Sequence, residues 1–266
     1  MDAWPIECIF FVLFVFGSCI GSFLSVCIER WPKEQSVIHP ASFCPHCKKK
    51  IPWYLNIPIL AWLFLRGKSA CCRKRIPIRY FLSEIFIGLL TVTIYWSHKD
   101  FFWPYFSLLC LLWVAFWTDL DTMLIPDEIT LLGIVTGILM SYFFPTLHAE
   151  YDAFQSMLVS IQGVCWGMGG LVCFISFVEF FLKKEAMGFG DVKLVGCIGA
   201  FCGWKGCLFS ILGGAVIGTI FIFICGVLQW IIQKKPFVIR DKCVPFGPFL
   251  SISIVLYILF NQPFFK

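Results

Sequence analysis

Ile6-Glu7-Cys8-Ile9-Phe10-Phe11-Val12-Leu13-Phe14-Val15-Phe16-Gly17-Ser18-Cys19-Ile20-Gly21-Ser22-Phe23-Leu24-Ser25-Val26-Cys27-Ile28 carries a single charged residue, Glu7. A run of about 20 apolar residues matches the hydrocarbon thickness of a bilayer. No basic residue precedes the run, and it is too long for the apolar core of a signal peptide, so it reads as a retained first span. Seven further apolar stretches follow, at 80–96, 101–118, 127–145, 156–182, 192–204, 207–232 and 246–262. Only 14% of the 266 residues are charged, where a soluble domain has about 25%. Too little polar surface is present to clothe a water-soluble globule. The sequence predicts an all-α fold, a polytopic membrane helix bundle of about eight transmembrane helices. Residues 1–266 form one membrane domain, with a basic loop over 29–79 and a core over 80–266.

The sixth stretch is short for a crossing. It must tilt, lie in thinned bilayer or be sheltered by protein. Eleven Lys and Arg fall between Arg30 and Arg79, and four more, Lys234, Lys235, Arg240 and Lys242, precede the last span. With eight spans these groups share one side, which the positive-inside rule makes cytoplasmic. The net charge of +5 follows from this topology and from attraction to anionic membrane lipid, and requires no nucleic-acid partner.

Ionisable residues at membrane depth are costly and point to function. Asp119 ends the third span and Asp191 begins the sixth, so the topology sets both at one membrane face. Asp127 and Glu128 follow Pro126, where the dipole of a starting helix favours acids. Asp121 lies in the turn. Gly188-Phe189-Gly190-Asp191 places two glycines before an acid, which lets another chain approach the backbone closely. Lys193 either turns toward the acids or extends to the headgroups. A helix N-terminus stabilises a negative charge and a C-terminus disfavours one. On that ground alone the charge rests on Asp191 and the proton on Asp119.

Cys44-Pro45-His46-Cys47 is a Cys-x-x-Cys knuckle, and Gly67-Lys68-Ser69-Ala70-Cys71-Cys72 follows. Cys44, Cys47, Cys71 and Cys72 make a thiolate set for zinc, although adjacent cysteines are poorly spaced for the usual knuckle, and His46 is an alternative ligand. The well-spaced Cys44 ranks above Cys71. The cysteines inside apolar runs read as small buried hydrophobes.

Gly188-Phe189-Gly190-Asp191 resembles the Gly-x-Gly-Asp motif of intramembrane aspartyl proteases. Its continuation through Val192-Lys193-Leu194 to Gly203-Trp204 is similar to the type IV prepilin peptidases of bacteria. Gly21 to Pro32 is similar too, with Ser25 where Asn is usual, as is Ile57-Pro58-Ile59-Leu60-Ala61-Trp62-Leu63, with Ala61 where Ser is usual. Arg79-Tyr80 through Glu84 and Val244-Pro245-Phe246-Gly247-Pro248-Phe249-Leu250 extend the likeness over nearly the whole chain.

The resemblance implies an aspartic endopeptidase with catalytic Asp119 and Asp191, supported by Gly188, Gly190 and Lys193. Its substrates would be type IV prepilins or type II secretion pseudopilins, cut at the cytoplasmic face of the bacterial inner membrane. It also implies N-methylation of the new terminus with S-adenosylmethionine, whose binding residues the sequence does not indicate. In the family's pattern Ser69 stands where a third cysteine is expected and Cys72 matches the fourth. Two alternatives stay open, a peptidase without methyl transfer and a transporter with intramembrane acids. The latter would usually show inverted repeats.

Overall fold

A computed structural model describes residues 5–39, 42–44, 46–183, 187–233 and 244–260. The chain forms two compact units, Met1–Phe102 and Trp103–Lys266. The first contains α1 (Ile6–Arg30), a short α2 (Leu60–Phe64) and α3 (Ile78–Ser97). The second is built from α4 (Phe102–Thr122), α5 (Asp127–Phe143), α6 (Ala153–Leu182), α7 (Phe189–Gln233) and α8 (Gly247–Phe260). Each expected span falls on a helix; the end of the last, 261–262, lies outside the described residues. Among the described residues, five helices are long and apolar enough to cross a membrane, and α8 is a shorter apolar helix.

The sixth and seventh stretches fall within α7, interrupted at Gly203 with φ 64° and ψ −171°. Cys207 Sγ lies 3.5 Å from the carbonyl oxygen of Val195. Twelve residues of straight helix would span about 18 Å, so the chain doubles back at Gly203. This φ is one that glycine adopts without a Cβ clash. The short sixth stretch is thereby explained: Val192, Leu194, Val195, Cys197, Ile198, Ala200 and Phe201 are all buried, so protein and not lipid surrounds this arm.

Small residues let the helices approach. Gly-x-x-x-Gly spacings occur at Gly17/Gly21, Gly133/Gly137, Gly163/Gly167 and Gly199/Gly203, a pattern that allows close backbone packing in lipid. In the first unit, a Cβ on Gly21 of α1 would stand 2.9 Å from the Ser83 carbonyl oxygen on α3. In the second, Cβ atoms on Gly163 of α6 and Gly199 of α7 would each strike the other's carbonyl oxygen. Hydroxyls inside helices bond backward, as Thr118 does to the Val114 carbonyl (2.9 Å) and Ser141 to Gly137 (2.9 Å). That satisfies them where water is absent. Large apolar side chains such as Phe11, Phe174 and Phe223 are exposed on the spans, as a lipid-facing surface requires.

Candidate functional site

α4 is apolar up to Thr118 and then presents Asp119, which is buried. The helix ends one turn later, where Met123 adopts a left-handed φ of 54° and its N–H bonds the Asp119 carbonyl. Leu124-Ile125-Pro126 then leads into α5, with Asp127 and Glu128 in its first turn. The N-cap position itself is Pro126, which has no side-chain bond to give. Asp127 instead pairs with Lys193 of α7 at 2.6 Å, and the Lys193 ammonium also lies 5.0 Å from the Phe189 ring centroid. The expectation that Lys193 reaches the headgroups or turns to the catalytic acids gives way to this tie between α5 and α7.

Asp191 lies in the first turn of α7, its N–H bonded to the Gly188 carbonyl at 3.2 Å. Its Oδ1 is buried and has no hydrogen-bond partner among the described residues. Asp119 Oδ2 accepts the backbone N–H of Gly247, the first residue of α8, at 2.9 Å. Ile125 separates the two acidic segments. A Cβ on Gly247 would be 3.2 Å from its Cδ1, and one on Gly190 would be 3.3 Å from its Cβ. The second unit thus gathers Asp119, Asp191, Gly188, Gly190, Ile125 and Gly247 around one point. Asp121 is exposed. Gly247 and Ile125 were not foreseen as site residues. Gly247 had a signal in the Pro-Phe-Gly-Pro run, but no spacing rule linked it to Asp119.

In the first unit the four cysteines come together, with their sulfur atoms all within 4.8 Å of one another. Two matching turns hold them. Phe43 pairs with Lys50 and Lys68 with Arg75 in isolated antiparallel bridges. The Cys44 N–H bonds the Lys49 carbonyl and the Lys48 N–H the Cys44 carbonyl. Ser69, Lys74 and Arg73 repeat both bonds. Lys48 (φ 58°) and Arg73 (φ 54°) take the same left-handed conformation. Ser69 is therefore the geometric counterpart of Cys44, and Cys72 that of Cys47. Cys71, the counterpart of His46, turns inward and lies 3.1 Å from Cys47 Sγ. It stands where it can supply the thiol that Ser69 lacks. His46 is exposed and outside the cluster. The Ser69 hydroxyl lies 3.4 Å from Cys44 Sγ and 3.0 Å from Cys71 Sγ. Its hydrogen bond holds both thiols below the ordinary cysteine range, which favours the thiolates that a metal needs.

A family model described as the bacterial peptidase A24 N-terminal domain matches residues 15–98, and one for the type IV leader peptidase family matches residues 106–223. The chain is 37% identical to a prepilin leader peptidase/N-methyltransferase of Myxococcus xanthus (strain DK1622), over 80% of this chain and 63% of that protein. It is 31% identical to one of Stutzerimonas stutzeri, over 90% of this chain and 86% of that protein. A third, from Legionella pneumophila, is 31% identical over 92% of this chain and 88% of its own length. No solved structure matches the chain.

Proposed function

Because the chain belongs to the type IV leader peptidase family, we propose that it removes the basic leader from type IV prepilins or type II secretion pseudopilins, using Asp119 and Asp191. The observation that supports this reading is the approach of both acidic segments to Ile125, through Gly247 bonded to Asp119 and through Gly190 beside Asp191. Two nearby carboxyls hold one proton between them because like charges at short range cannot both ionise. The ionised member takes a proton from water as the water oxygen bonds the scissile carbonyl carbon. The protonated member donates, first toward the carbonyl oxygen and then to the leaving amine as the C–N bond breaks. Gly188, where a Cβ would meet only Asp191 Oδ2 at 3.7 Å, leaves room for the substrate strand, Gly190 lets Ile125 approach closely, and Lys193 fixes the start of α7 through Asp127.

The new N-terminal amine is then methylated. S-adenosylmethionine, when bound, would supply an electrophilic methyl group for that amine. Cys44, Cys47, Cys71 and Cys72 would hold a zinc ion. Four sulfur donors suit a closed tetrahedral structural site, and a metal there would tie the two turns together. The basic loop and both aspartates face the cytoplasm across the bacterial inner membrane, on the strength of the charge distribution. The test is incubation of the purified protein with a prepilin-like peptide and S-adenosylmethionine, followed by mass analysis. Cleavage after the leader and a gain of one methyl group are expected. An intact peptide would reject the peptidase reading.

A further inference from the structure

α2 lies in the loop between two spans of the first unit, yet it is apolar throughout: Leu60-Ala61-Trp62-Leu63-Phe64. One side of it is fastened to α3. The Trp62 ring stacks on Phe81, with centroids 4.6 Å apart and planes inclined by 25°. The N–H of Ile59, the residue before α2, donates to Glu84 Oε2 at 2.7 Å. The chain then folds back behind Trp62. The Gly67 N–H bonds the Trp62 carbonyl at 2.9 Å. Gly67 holds a φ of 68°, and a Cβ there would press on the indole at 2.8 Å.

The ties to Phe81 and Glu84 fix the depth of α2. α3 is a 20-residue span, Ile78–Ser97, and at about 1.5 Å per residue it matches the roughly 30 Å of hydrocarbon. Its exposed apolar residues, Ile78, Leu82, Phe86 and Leu89, begin at its first position. Glu84 therefore stands about 9 Å along the axis from the start of the span. α2 is held beside the apolar part of α3 and not out in water. Its other side, Leu60, Leu63 and Phe64, has the i, i+3, i+4 spacing of one helix face and is exposed, Phe64 to 82%. An apolar face sunk about 5–10 Å below the headgroups is the placement of a helix lying in the membrane plane.

The charges around α2 are of one sign. No Asp or Glu occurs between Glu34 and Glu84. Arg66 and Lys68 follow α2 directly and are exposed, as are Lys48, Lys49, Lys50, Arg73, Lys74 and Arg75 at the two cysteine turns. Lys and Arg clustered beside a span attract anionic headgroups. Trp53 and Tyr54, also exposed, are of the types enriched at that boundary. A second copy of the chain would bring the same positive charge, and a basic leader peptide would likewise be repelled. We propose that α2 docks in the bilayer leaflet that meets the basic loop, with Leu60, Leu63 and Phe64 among the acyl chains of anionic phospholipid and Arg66 and Lys68 at the phosphates. Lys68 pairs with Arg75 across the second cysteine turn, so the docked helix holds the cysteine cluster against the membrane.

The test uses the full chain in nanodiscs of phosphatidylcholine alone and of equal parts phosphatidylcholine and phosphatidylglycerol. A trace of phospholipid with a diazirine near the carbonyl end of one acyl chain, followed by peptide mapping, should label 60–64 as well as α3. Backbone hydrogen exchange over 60–67 should be slower in the anionic discs. Arg66→Gln should speed it about fivefold there by removing one charge, with little effect in phosphatidylcholine. Label on α3 and none on 60–64 would overturn the proposal, since α3 shows that the probe reaches this unit. Exchange rates equal in the two discs would overturn it as well. Loss of the label on adding a prepilin-like peptide, or on placing two chains in each disc, would assign this face to the substrate or to a second copy instead.

Discussion

The backbone N–H of Gly247 donates to Oδ2 of Asp119 at 2.9 Å, joining positions 128 residues apart. Asp119 therefore faces the N-terminus of α8 as well as ending α4. The C-terminal dipole of α4 opposes a charge there by about 0.3–1 kcal/mol, and the N-terminal dipole of α8 offsets it. A hydrogen bond to a charged acceptor adds about 1.5–3 kcal/mol. Asp191 Oδ1 has no such donor among the described residues. With this bond added to the dipoles, we expect the resting charge on Asp119 and the proton on Asp191. Infrared difference spectra should lose the protonated-carboxyl band in Asp191→Asn and keep it in Asp119→Asn. The opposite pattern would restore the dipole assignment.

Both aspartates are expected to be indispensable to cleavage. Asp119→Asn and Asp191→Asn should each lower the rate by about 10²–10⁴-fold or more, with membrane insertion intact. The Gly247 N–H can still donate to an asparagine oxygen, so Asp119→Asn keeps that link to α8. Full activity in Asp119→Asn would direct attention to Asp121.

A side chain at Gly247 would crowd Asp119. A Cβ there would lie 2.8 Å from Asp119 Oδ2 and 3.2 Å from Ile125 Cδ1. Gly247→Ala should displace the carboxylate and reduce cleavage about 100-fold. An unchanged cleavage rate would show that the carboxylate position is not critical.

The cysteine cluster should carry about one zinc per chain, measured by elemental analysis of protein purified without chelators. Cys71→Ser should release the metal as readily as Cys44→Ser, because the sulfurs of both residues fall within the 4.8 Å cluster. Ser69→Cys added to Cys71→Ser should restore it, since Ser69 occupies the position corresponding to Cys44. Metal retained in Cys71→Ser alone would return that residue to a bystander.

The Lys193–Asp127 pair is partly exposed, at 20% and 60% of the side chains, so solvent screens it and its worth is about 0.2–1 kcal/mol. Lys193→Met and Asp127→Asn should each lower the melting temperature slightly, and the double variant should lose no more than either. A large additional loss would mean that the residues act separately.

Much of this architecture was legible because the bilayer imposes one period and one length on every span. The stretches at 6–28 and 156–182 match α1 and α6 within a few residues. The acids at 119 and 191 stood out because charge is scarce around them. Packing partners were not legible, since helices in lipid are apolar on all sides. The Gly-x-x-x-Gly spacings carried that information instead. Cys71 was legible as a ligand but its place opposite His46 was not, because spacing rules follow the backbone, and the left-handed turn at Arg73 determines where the neighbouring thiols point. The bond from Gly247 to Asp119 belongs to tertiary structure alone, and no local pattern anticipates it.

The reversal at Gly203 bears on how the chain enters the membrane during synthesis. The first arm of α7, about 14 residues and about 21 Å long, falls short of the roughly 30 Å needed to stop alone in the bilayer. It has to enter together with the arm after it, as a preformed hairpin whose two halves share one insertion event. The orientation of α8, and hence of the Gly247 N–H, is inherited from that event. A bulky residue at 203 would act first on the newly made chain: a failed hairpin leaves one crossing uncounted, and everything downstream is delivered to the wrong side.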